Sequence, residues 1–227
     1  MFVPGLELDA PITREQRHHL ERVLRLRDGA AVVATDGTGR LQHCRLAGDR
    51  LEPTADPITL PPRMPQLGVM QAVPSGRKLD EITRMLGEVG VAWLQPVVMR
   101  TASAFAADAK GAARRLWRLR AIAVSALEQS RSGWLLDVRE PSRLVVAVAA
   151  DGADVRLLLD PSAKQRLSDV ELSEATTVTV VIGPETGWDV AERAVGGLPV
   201  RLGPEVLRTE HAGLAAVAAV MARSGRW

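Results

Sequence analysis

The chain has 227 residues, of which 46% are hydrophobic and 25% are charged, enough apolar sequence for one large or two smaller folded domains. Its formal net charge of +2 permits a nucleic-acid partner without requiring one. Cys44 is the only cysteine, which excludes an intrachain disulfide and a multi-cysteine metal site.

The compartment follows from the same features. A lone cysteine favours the reducing cytoplasm. The N-terminus lacks the basic and apolar regions of a secretory signal, and no apolar run reaches the ~20 residues that span a bilayer. We therefore expect a cytoplasmic globular protein with no membrane contact.

Residues 1–62 are predicted to form a small β-rich module. A helix is expected over residues 14–25, followed by short apolar runs that alternate with the turn signals Asp36-Gly37 and Gly48-Asp49. The stretch "DPITLPPRMP" then places four prolines in ten residues. Because proline interrupts both helices and sheets, we place a domain boundary between residues 62 and 63.

Residues 63–227 alternate strands with helices. The predicted strands cover residues 66–73, 91–99, 155–160, 177–183 and 198–202. The predicted helices cover 78–89, with Gly90 as a left-handed C-cap, then 111–130, a segment from Val190, and 209–223. Near-continuous aliphatic strands in this order predict an open α/β sheet with parallel strands, whose ligands lie at the carboxyl ends.

Two glycine loops follow consecutive predicted strands. "GPETG" (183–187) leads to Asp189 and Glu192, whose spacing predicts a capping box and a helix from Val190. "LGPEVLRTEHA" (202–212) follows the next strand, so we expect the two loops side by side at one pocket. A tight turn with a solvated glutamate, and a surface ion pair of Arg208 with Glu210, are the simpler alternatives.

Several common motifs of catalysis and cofactor binding are absent from the sequence. It contains no phosphate-binding loop of the G-x-x-x-x-G-K-[ST] type, no G-x-S-x-G and no H-E-x-x-H. Its single G-x-G, at residues 37–39, lies in a hairpin-like stretch and does not open a helix. Adjacent His18 and His19 would point about 100° apart on a helix, so no metal site is predicted.

Four blocks in order resemble one known family. They are "HHLERVLRLRDGAAVVATDG", "GRKLDEITRMLGEVGVAWLQPVVMRT", "SALEQSR" and "VIGPETG…LGPEVLRTEHA", and together they span nearly the whole chain. The combination resembles the SPOUT-class methyltransferases that modify N3 of a uridine in 16S ribosomal RNA of the small ribosomal subunit. The resemblance implies a PUA-like RNA-binding β-barrel at residues 1–62, a SPOUT α/β domain with a deep trefoil knot at 63–227, S-adenosyl-L-methionine as cofactor, and a homodimer.

The resemblance also assigns residues to the site. The catalytic candidates, chosen by residue type and position, are Arg208, Glu185 and Glu210. Either glutamate is the expected proton acceptor, and Arg208 is the expected hydrogen-bond partner of the developing oxyanion or of the carboxylate. The strand end "QPVVMRT" (95–101) is expected to line the same pocket. The residues expected to bind the cofactor are Leu159, Ile182, Gly183, Pro184, Glu185, Gly187, Leu202, Gly203, Val206, Leu207, Arg208 and Ala212.

Basic residues supply the candidate RNA contacts. Those on the first predicted helix are Arg14, Arg17, His18, Arg22 and Arg25, and Arg100 opens a second basic stretch that reaches residue 120. The chain has no tyrosine and two phenylalanines, so recognition by phosphate contacts and shape is expected over broad base stacking.

Three positions depart from the family pattern, and two other functions stay open. Thr186 stands where the family has glycine, Met85 where it has lysine, and His211 where it has threonine. Thr186 bears most on the pocket, because glycine reaches backbone angles that threonine avoids. The alternative functions are a related methyltransferase acting on transfer RNA or another ribosomal site, and an RNA-binding protein without catalysis.

Overall fold

The computed structural model describes residues 1–6, 12–23, 25–99 and 109–227, and the chain divides into two compact units. Unit 1 comprises Met1–Pro62 and Leu127–Leu135, and unit 2 comprises Arg63–Ala126 and Leu136–Trp227. The break after Pro62 lies in the proline-rich segment. The inclusion of residues 127–135 in unit 1 was not predicted from the sequence.

Unit 1 contains one short helix and an antiparallel sheet. The helix is α1 (Arg14–His18), and the strands are β1 (Ala31–Thr35), β2 (Arg40–Ala47), β3 (Arg50–Pro53) and β4 (Ile58–Thr59). Strand β2 pairs with the other three, and its side chains alternate between buried and exposed. Buried side chains of β1, β2 and β3 form a small core together with Leu20. Its members are Leu20, Val32, Ala34, Cys44, Leu46 and Leu51.

The prediction of one regular helix over residues 14–25 is wrong in its second half. Helix α1 ends at His18, and a wider helical turn continues over His19–Val23. Leu20 is buried in the core of unit 1, and its carbonyl accepts a hydrogen bond from the Leu26 amide at 2.9 Å. Arg25, with φ of 56°, therefore occupies the left-handed conformation with which helices commonly end, and it does not lie on a helical face.

Unit 2 is an α/β domain built on a parallel sheet, so the predicted α/β class with parallel strands is confirmed. Its strands are β5 (Gln66–Ala72), β6 (Trp93–Val98), β7 (Asp137–Val138), β8 (Ser142–Arg143), β9 (Val155–Leu159), β10 (Thr177–Ile182) and β11 (Leu198–Val200). Its helices are α2 (Lys78–Val89), α3 (Ala109–Ser130), α4 (Leu144–Ala150), α5 (Val190–Val195) and α6 (Thr209–Arg223). The strand order is β11-β9-β10-β5-β6-β7, with β8 beside β6, and every pairing in this sheet is parallel.

The central strands are buried because their sequences are aliphatic on both faces. Leu67, Val69, Leu157 and Val180 are inaccessible to solvent. Helix α2 ends as predicted at Gly90, which has φ of 84°. Within the described ranges, every helix is too short or too polar to span a bilayer.

Strand β9 lies between β10 and β11, so the two strands that lead to the glycine loops are not neighbours in the sheet. Leu157–Leu159 pair with Val180–Ile182 on one side and with Leu198–Val200 on the other. The apolar β9 can occupy this position because both of its faces can be buried. After β10, the chain passes through α5 and crosses β9 before it forms β11.

Candidate functional site

The carboxyl ends of β9, β10 and β11 border a cavity of about 580 Å³. In open parallel sheets this edge is where ligands bind, because the strand-to-helix loops leave polar backbone groups facing a crevice. The starts of α2 and α6 complete the walls. The lining residues are Lys78, 159–161, 182–188, 200–203, 205–210 and Ala212.

Every residue predicted to bind the cofactor lines this cavity. The two glycine loops thus meet at one pocket even though their strands are not neighbours. The predicted strand end 95–101 is different, since its described part, residues 95–99, is not among the lining residues and residues 100 and 101 lie outside the described ranges. The predicted residues at the cavity are Leu159, Ile182, Gly183, Pro184, Glu185, Gly187, Leu202, Gly203, Val206, Leu207, Arg208 and Ala212, together with the catalytic candidate Glu210.

The first glycine loop is a tight turn that ends in a capped helix. The Gly187 amide donates to the Pro184 carbonyl at 3.0 Å, and Gly187 has φ of 82°. The glycine requirement therefore lies at residue 187, and Thr186 keeps a negative φ. The predicted capping box is confirmed: Asp189 Oδ1 accepts from the Glu192 amide at 2.7 Å, and Glu192 Oε2 accepts from the Asp189 amide at 3.3 Å.

Gly183 allows the Trp188 ring to pack on the end of β10. A Cβ atom added at Gly183 would lie 2.8 Å from the ring, closer than two carbon atoms can approach. Trp188 Nε1 donates to the Leu159 carbonyl at 2.8 Å, which joins this loop to the end of β9. The sequence analysis did not single out Trp188, although it stands within the quoted loop.

Lys78 joins the two carboxylates of the pocket. Its Nζ lies 3.0 Å from Glu185 Oε1, as a hydrogen-bonded ion pair, and 3.4 Å from Glu210 Oε2. Glu210 Oε2 accepts no hydrogen bond from the described residues, so its contact with Lys78 is an ion pair alone. The ion pair of Arg208 with Glu210, which was the simpler alternative, is not formed, and Glu210 pairs with Lys78 instead. Sequence reasoning missed Lys78, whose one signal was its place in the block "GRKLDE".

All three groups of this cluster are charged at neutral pH. The pKa of Glu185 is lowered by a hydrogen bond from its own backbone amide and then by Lys78. The pKa of Glu210 is lowered by its own amide, at the start of α6, and further by Lys78 and Arg208. The pKa of Lys78 is raised by Glu185 and then by Glu210. The cluster therefore carries one net negative charge beside the cavity.

The start of α6 is held against the ends of β5 and β10. Thr209 Oγ1 donates to the Gly183 carbonyl at 2.9 Å and accepts from Gln71 Nε2 at 3.1 Å. Arg208, directly before the helix, is exposed and is one of the residues that line the cavity. Thr209 therefore fixes the backbone from which Arg208 and Glu210 extend.

Asp160 is an acidic residue of the cavity that was not predicted from the sequence. It follows β9 directly, and its carboxylate is buried. It accepts hydrogen bonds from the Ser162 amide and hydroxyl at 2.8 and 2.7 Å, and its other oxygen pairs with Arg193 at 2.8 Å. The "VRLLLD" run marks the end of a strand, but nothing in it distinguishes this aspartate as part of a pocket.

The predicted RNA-binding residues of unit 1 are placed mostly at the surface. Arg14, His18, Arg22 and Arg25 are exposed, and the half-buried Arg17 lies 3.7 Å from Glu21. Arg100 lies outside the described residues. The part of the chain that the structure describes contains no group of three or more His, Cys, Asp or Glu side chains arranged to hold a metal ion.

Comparison with known proteins agrees with this site. A model of the RNA methyltransferase domain matches residues 62–221, and a model of the RNA methyltransferase PUA domain matches residues 12–54. The ribosomal RNA small subunit methyltransferase E of Mycobacterium bovis is 32% identical over 241 residues, which cover 99% of this chain and 90% of the relative. The chain belongs to the ribosomal RNA small subunit methyltransferase E family.

Further relatives match this chain over most of its length or share its fold. The Bacillus subtilis protein is 27% identical over 92% of this chain and 88% of its own. The Neisseria gonorrhoeae protein, solved bound to S-adenosyl methionine, superposes with a TM-score of 0.84 at 26% identity, over 98% of this chain and 96% of its own. Lpg2936 of Legionella pneumophila, solved with bound SAM, has the same TM-score at 24% identity and shows the shared fold.

The cavity of this methyltransferase E family member has the size and charge for such a cofactor. Its volume of about 580 Å³ is in the range of small-molecule sites. Leu159, Ile182 and Val200 provide an apolar wall. The net negative charge of the Lys78, Glu185 and Glu210 cluster complements a sulfonium cation.

Proposed function

We propose that this protein transfers a methyl group from S-adenosylmethionine to N3 of a uridine in 16S ribosomal RNA of the small ribosomal subunit. The observation that carries the proposal is the convergence of both glycine loops and a charged Lys78, Glu185 and Glu210 cluster on one cavity at the carboxyl edge of the sheet. The names of the relatives support the substrate class, and the bound molecule of the Neisseria gonorrhoeae structure supports the cofactor.

We assign the cofactor to the cavity walls. S-adenosylmethionine supplies an electrophilic methyl group on a sulfonium sulfur. The glycine loops offer backbone groups to its polar parts, and the apolar wall offers a surface for its base. Two ionised carboxylates favour a cation in their neighbourhood. Holding the two reacting atoms in line, roughly 3–3.5 Å apart, supplies much of the acceleration of such a transfer.

We assign proton removal to Glu185. The imide proton at uracil N3 leaves during methylation, and a carboxylate must reach it from the mouth of the pocket. The Glu185 side chain is 43% exposed and that of Glu210 is 8% exposed. A uracil that enters from solvent therefore meets Glu185 first. Because the lowered pKa makes Glu185 a weak base, the proton leaves as the methyl bond forms. Arg208 stabilises the negative charge on the uracil oxygens.

The same proposal includes the finer architecture. We infer a PUA-like barrel in unit 1 that binds RNA, a trefoil knot in unit 2, and a homodimer. The match of residues 12–54 to a PUA domain supports the barrel, and the crossing of β9 between β10 and β11 supports the knot. Val206 and Leu207 are exposed at the pocket edge, as expected where a partner chain completes each site. A ribosomal substrate places the protein in the cytoplasm.

The test uses purified protein, S-adenosylmethionine and a 16S ribosomal RNA transcript, with small subunits as a second substrate. We expect calorimetric binding of the cofactor and one new methyl group on a uridine, located by mass mapping. Transfer RNA serves as the comparison substrate. A folded protein that does not bind S-adenosylmethionine contradicts the enzymatic function, and methylation of transfer RNA alone contradicts the substrate.

Glu185→Gln tests the role of the proton acceptor. We expect single-turnover methylation to slow by about 10²- to 10⁴-fold, the usual contribution of general base catalysis, with cofactor affinity kept. Glu205→Gln is the matched control, because Glu205 also lines the cavity and is exposed. Glu210→Gln, measured in the same way, shows which of the two glutamates is the proton acceptor. Equal rates for Glu185→Gln and Glu205→Gln would remove Glu185 from the chemistry.

A further inference from the structure

Helix α3 presents a large aromatic side chain to solvent. Trp117 is 72% exposed, whereas Leu116 and Leu119 beside it are buried against unit 2. Tryptophan is among the most buried residues on average, so an exposed indole in the middle of a helix has no role in the core. Arg114, three residues earlier, is exposed on the same side of the helix.

The surroundings of Trp117 are strongly basic. Residues 110–120 contain five lysines and arginines and no acidic residue. Arg118 pairs with Asp80 of α2 at 2.6 Å, and Arg77 reaches the same carboxylate oxygen at 3.7 Å. One carboxylate thus faces two guanidinium groups, so the cluster of Arg77, Asp80 and Arg118 keeps a net positive charge.

This surface leads to the candidate active site. Arg77 directly precedes Lys78, which lines the cavity. We define the basic tryptophan face as Arg77, Arg114, Trp117 and Arg118. It runs from the exposed side of α3, across Asp80, to the start of α2 at the pocket.

We propose that the basic tryptophan face binds an unpaired stretch of the RNA substrate, with a base stacked on Trp117 and phosphates paired with the arginines. The inference rests on the proposed function, because it places the substrate beside the same pocket. An exposed indole on a helix surface that also carries arginines matches single-stranded nucleic acid, whose bases stack on aromatic rings and whose phosphates bind cations. This proposal adds one stacking position, Trp117, to the RNA recognition by phosphate contacts and shape that the sequence predicts.

The test compares variants of Trp117 in the full-length protein. Filter binding measures the affinity for a 16S ribosomal RNA transcript, and initial rates give the KM for the same RNA. For Trp117→Ala we expect the dissociation constant and the KM for RNA each to rise by about 5- to 100-fold, the effect of losing one stacked base. The affinity for S-adenosylmethionine should stay unchanged. Trp117→Phe keeps an aromatic face and retains most of the affinity, whereas Trp117→Leu does not.

Trp227→Ala is the matched control, since Trp227 is also exposed, at 63%, but lies outside this face. It should leave both measurements unchanged. If Trp117→Ala keeps the wild-type RNA affinity and KM, the inference is overturned. The proposed function still stands in that case, provided that the variant methylates RNA normally. If the wild type transfers no methyl group, the proposed function fails, and filter binding still decides the role of the face. A changed sedimentation coefficient for Trp117→Ala with unchanged RNA affinity would make the face a contact between copies of the chain and overturn the inference.

Discussion

Lys78 Nζ lies 3.0 Å from Glu185 Oε1, although the two residues are 107 positions apart in the sequence. The same ammonium group is 3.4 Å from Glu210 Oε2. One lysine at the start of α2 thus connects the loop after β10 with the first turn of α6. Without it, two carboxylates would face each other across the pocket mouth, and each would raise the pKa of the other.

Lys78→Met should shift the acidic limb of the pH–rate profile to higher pH. Lys78 lowers the pKa of both Glu185 and Glu210, so its loss moves each pKa up and leaves fewer carboxylates ionised on the acidic side of neutrality. The measurement is kcat/KM from about pH 3 to about pH 7, a range that includes the ordinary glutamate pKa of 4.5. Lys78→Arg keeps the charge and should restore the wild-type limb.

Lys164→Met is the control for this shift. Lys164 is an exposed lysine of the same unit, and it is not among the residues that line the cavity. Its loss should leave the profile unchanged. An unshifted limb in Lys78→Met would mean that neither glutamate limits the rate through its ionisation.

Gly183→Ala should destabilise the protein and weaken cofactor binding. The new methyl group would lie 2.8 Å from the Trp188 ring, which must then move and release the Leu159 carbonyl. Overpacking of this kind costs about 1–3 kcal/mol. Chemical denaturation and calorimetry measure the two effects.

Gly203→Ala is the matched substitution in the other glycine loop. An added Cβ there meets nothing nearer than Glu205 Oε2, at 3.6 Å. We expect the free energy of unfolding to stay within about 0.5 kcal/mol of the wild-type value. If both alanine variants unfold alike, contact with Trp188 is not the reason that residue 183 is glycine.

Asp154→Asn should remove part of the acid sensitivity of unit 2. Hydrogen bonds from the Thr176 hydroxyl and amide, and from the Thr177 amide, lower the pKa of Asp154 to about 2 from an ordinary value of 3.8. The folded state therefore gains stability from the ionised form, fully above pH 3.8, and loses it as the pH falls toward about 2.

Melting temperatures between about pH 2 and about pH 7 measure this effect. Asp154→Asn should melt below the wild type at neutral pH, and the difference should narrow as the pH falls through the range that the two pKa values define. Glu174→Gln, an exposed carboxyl of the same unit, controls for the loss of one charge. A difference that is constant with pH would contradict the assignment.

Features governed by local rules could be predicted from the sequence. The end of α2 at Gly90 and the capping box of Asp189 and Glu192 depend on residues within one or two turns. The two glycine loops could be assigned to one pocket because parallel strands end at a common edge. Resemblance to a family then identified which loop residues face that pocket.

Features governed by tertiary contacts could not be predicted. Lys78 at a helix start looks like an ordinary exposed lysine until α6 and the loop after β10 bring two carboxylates to it. The helix expected through Arg25 ends early in a turn that the periodic pattern does not reveal, in which the Leu26 amide donates to the Leu20 carbonyl and Arg25 takes the left-handed conformation. The position of β9 is likewise invisible in periodicity, since an apolar strand fits several places in a sheet.

The position of β9 between β10 and β11 makes the fraction of molecules that can bind ligand a measure of completed folding. A chain that has paired β5 with β10 but has not inserted β9 lacks the Leu159 carbonyl on which Trp188 is anchored, and β11 has no strand to join. Such an intermediate has no pocket. Substitutions that weaken β9 should therefore reduce the number of molecules able to bind the cofactor, while each correctly assembled molecule binds it with undiminished strength.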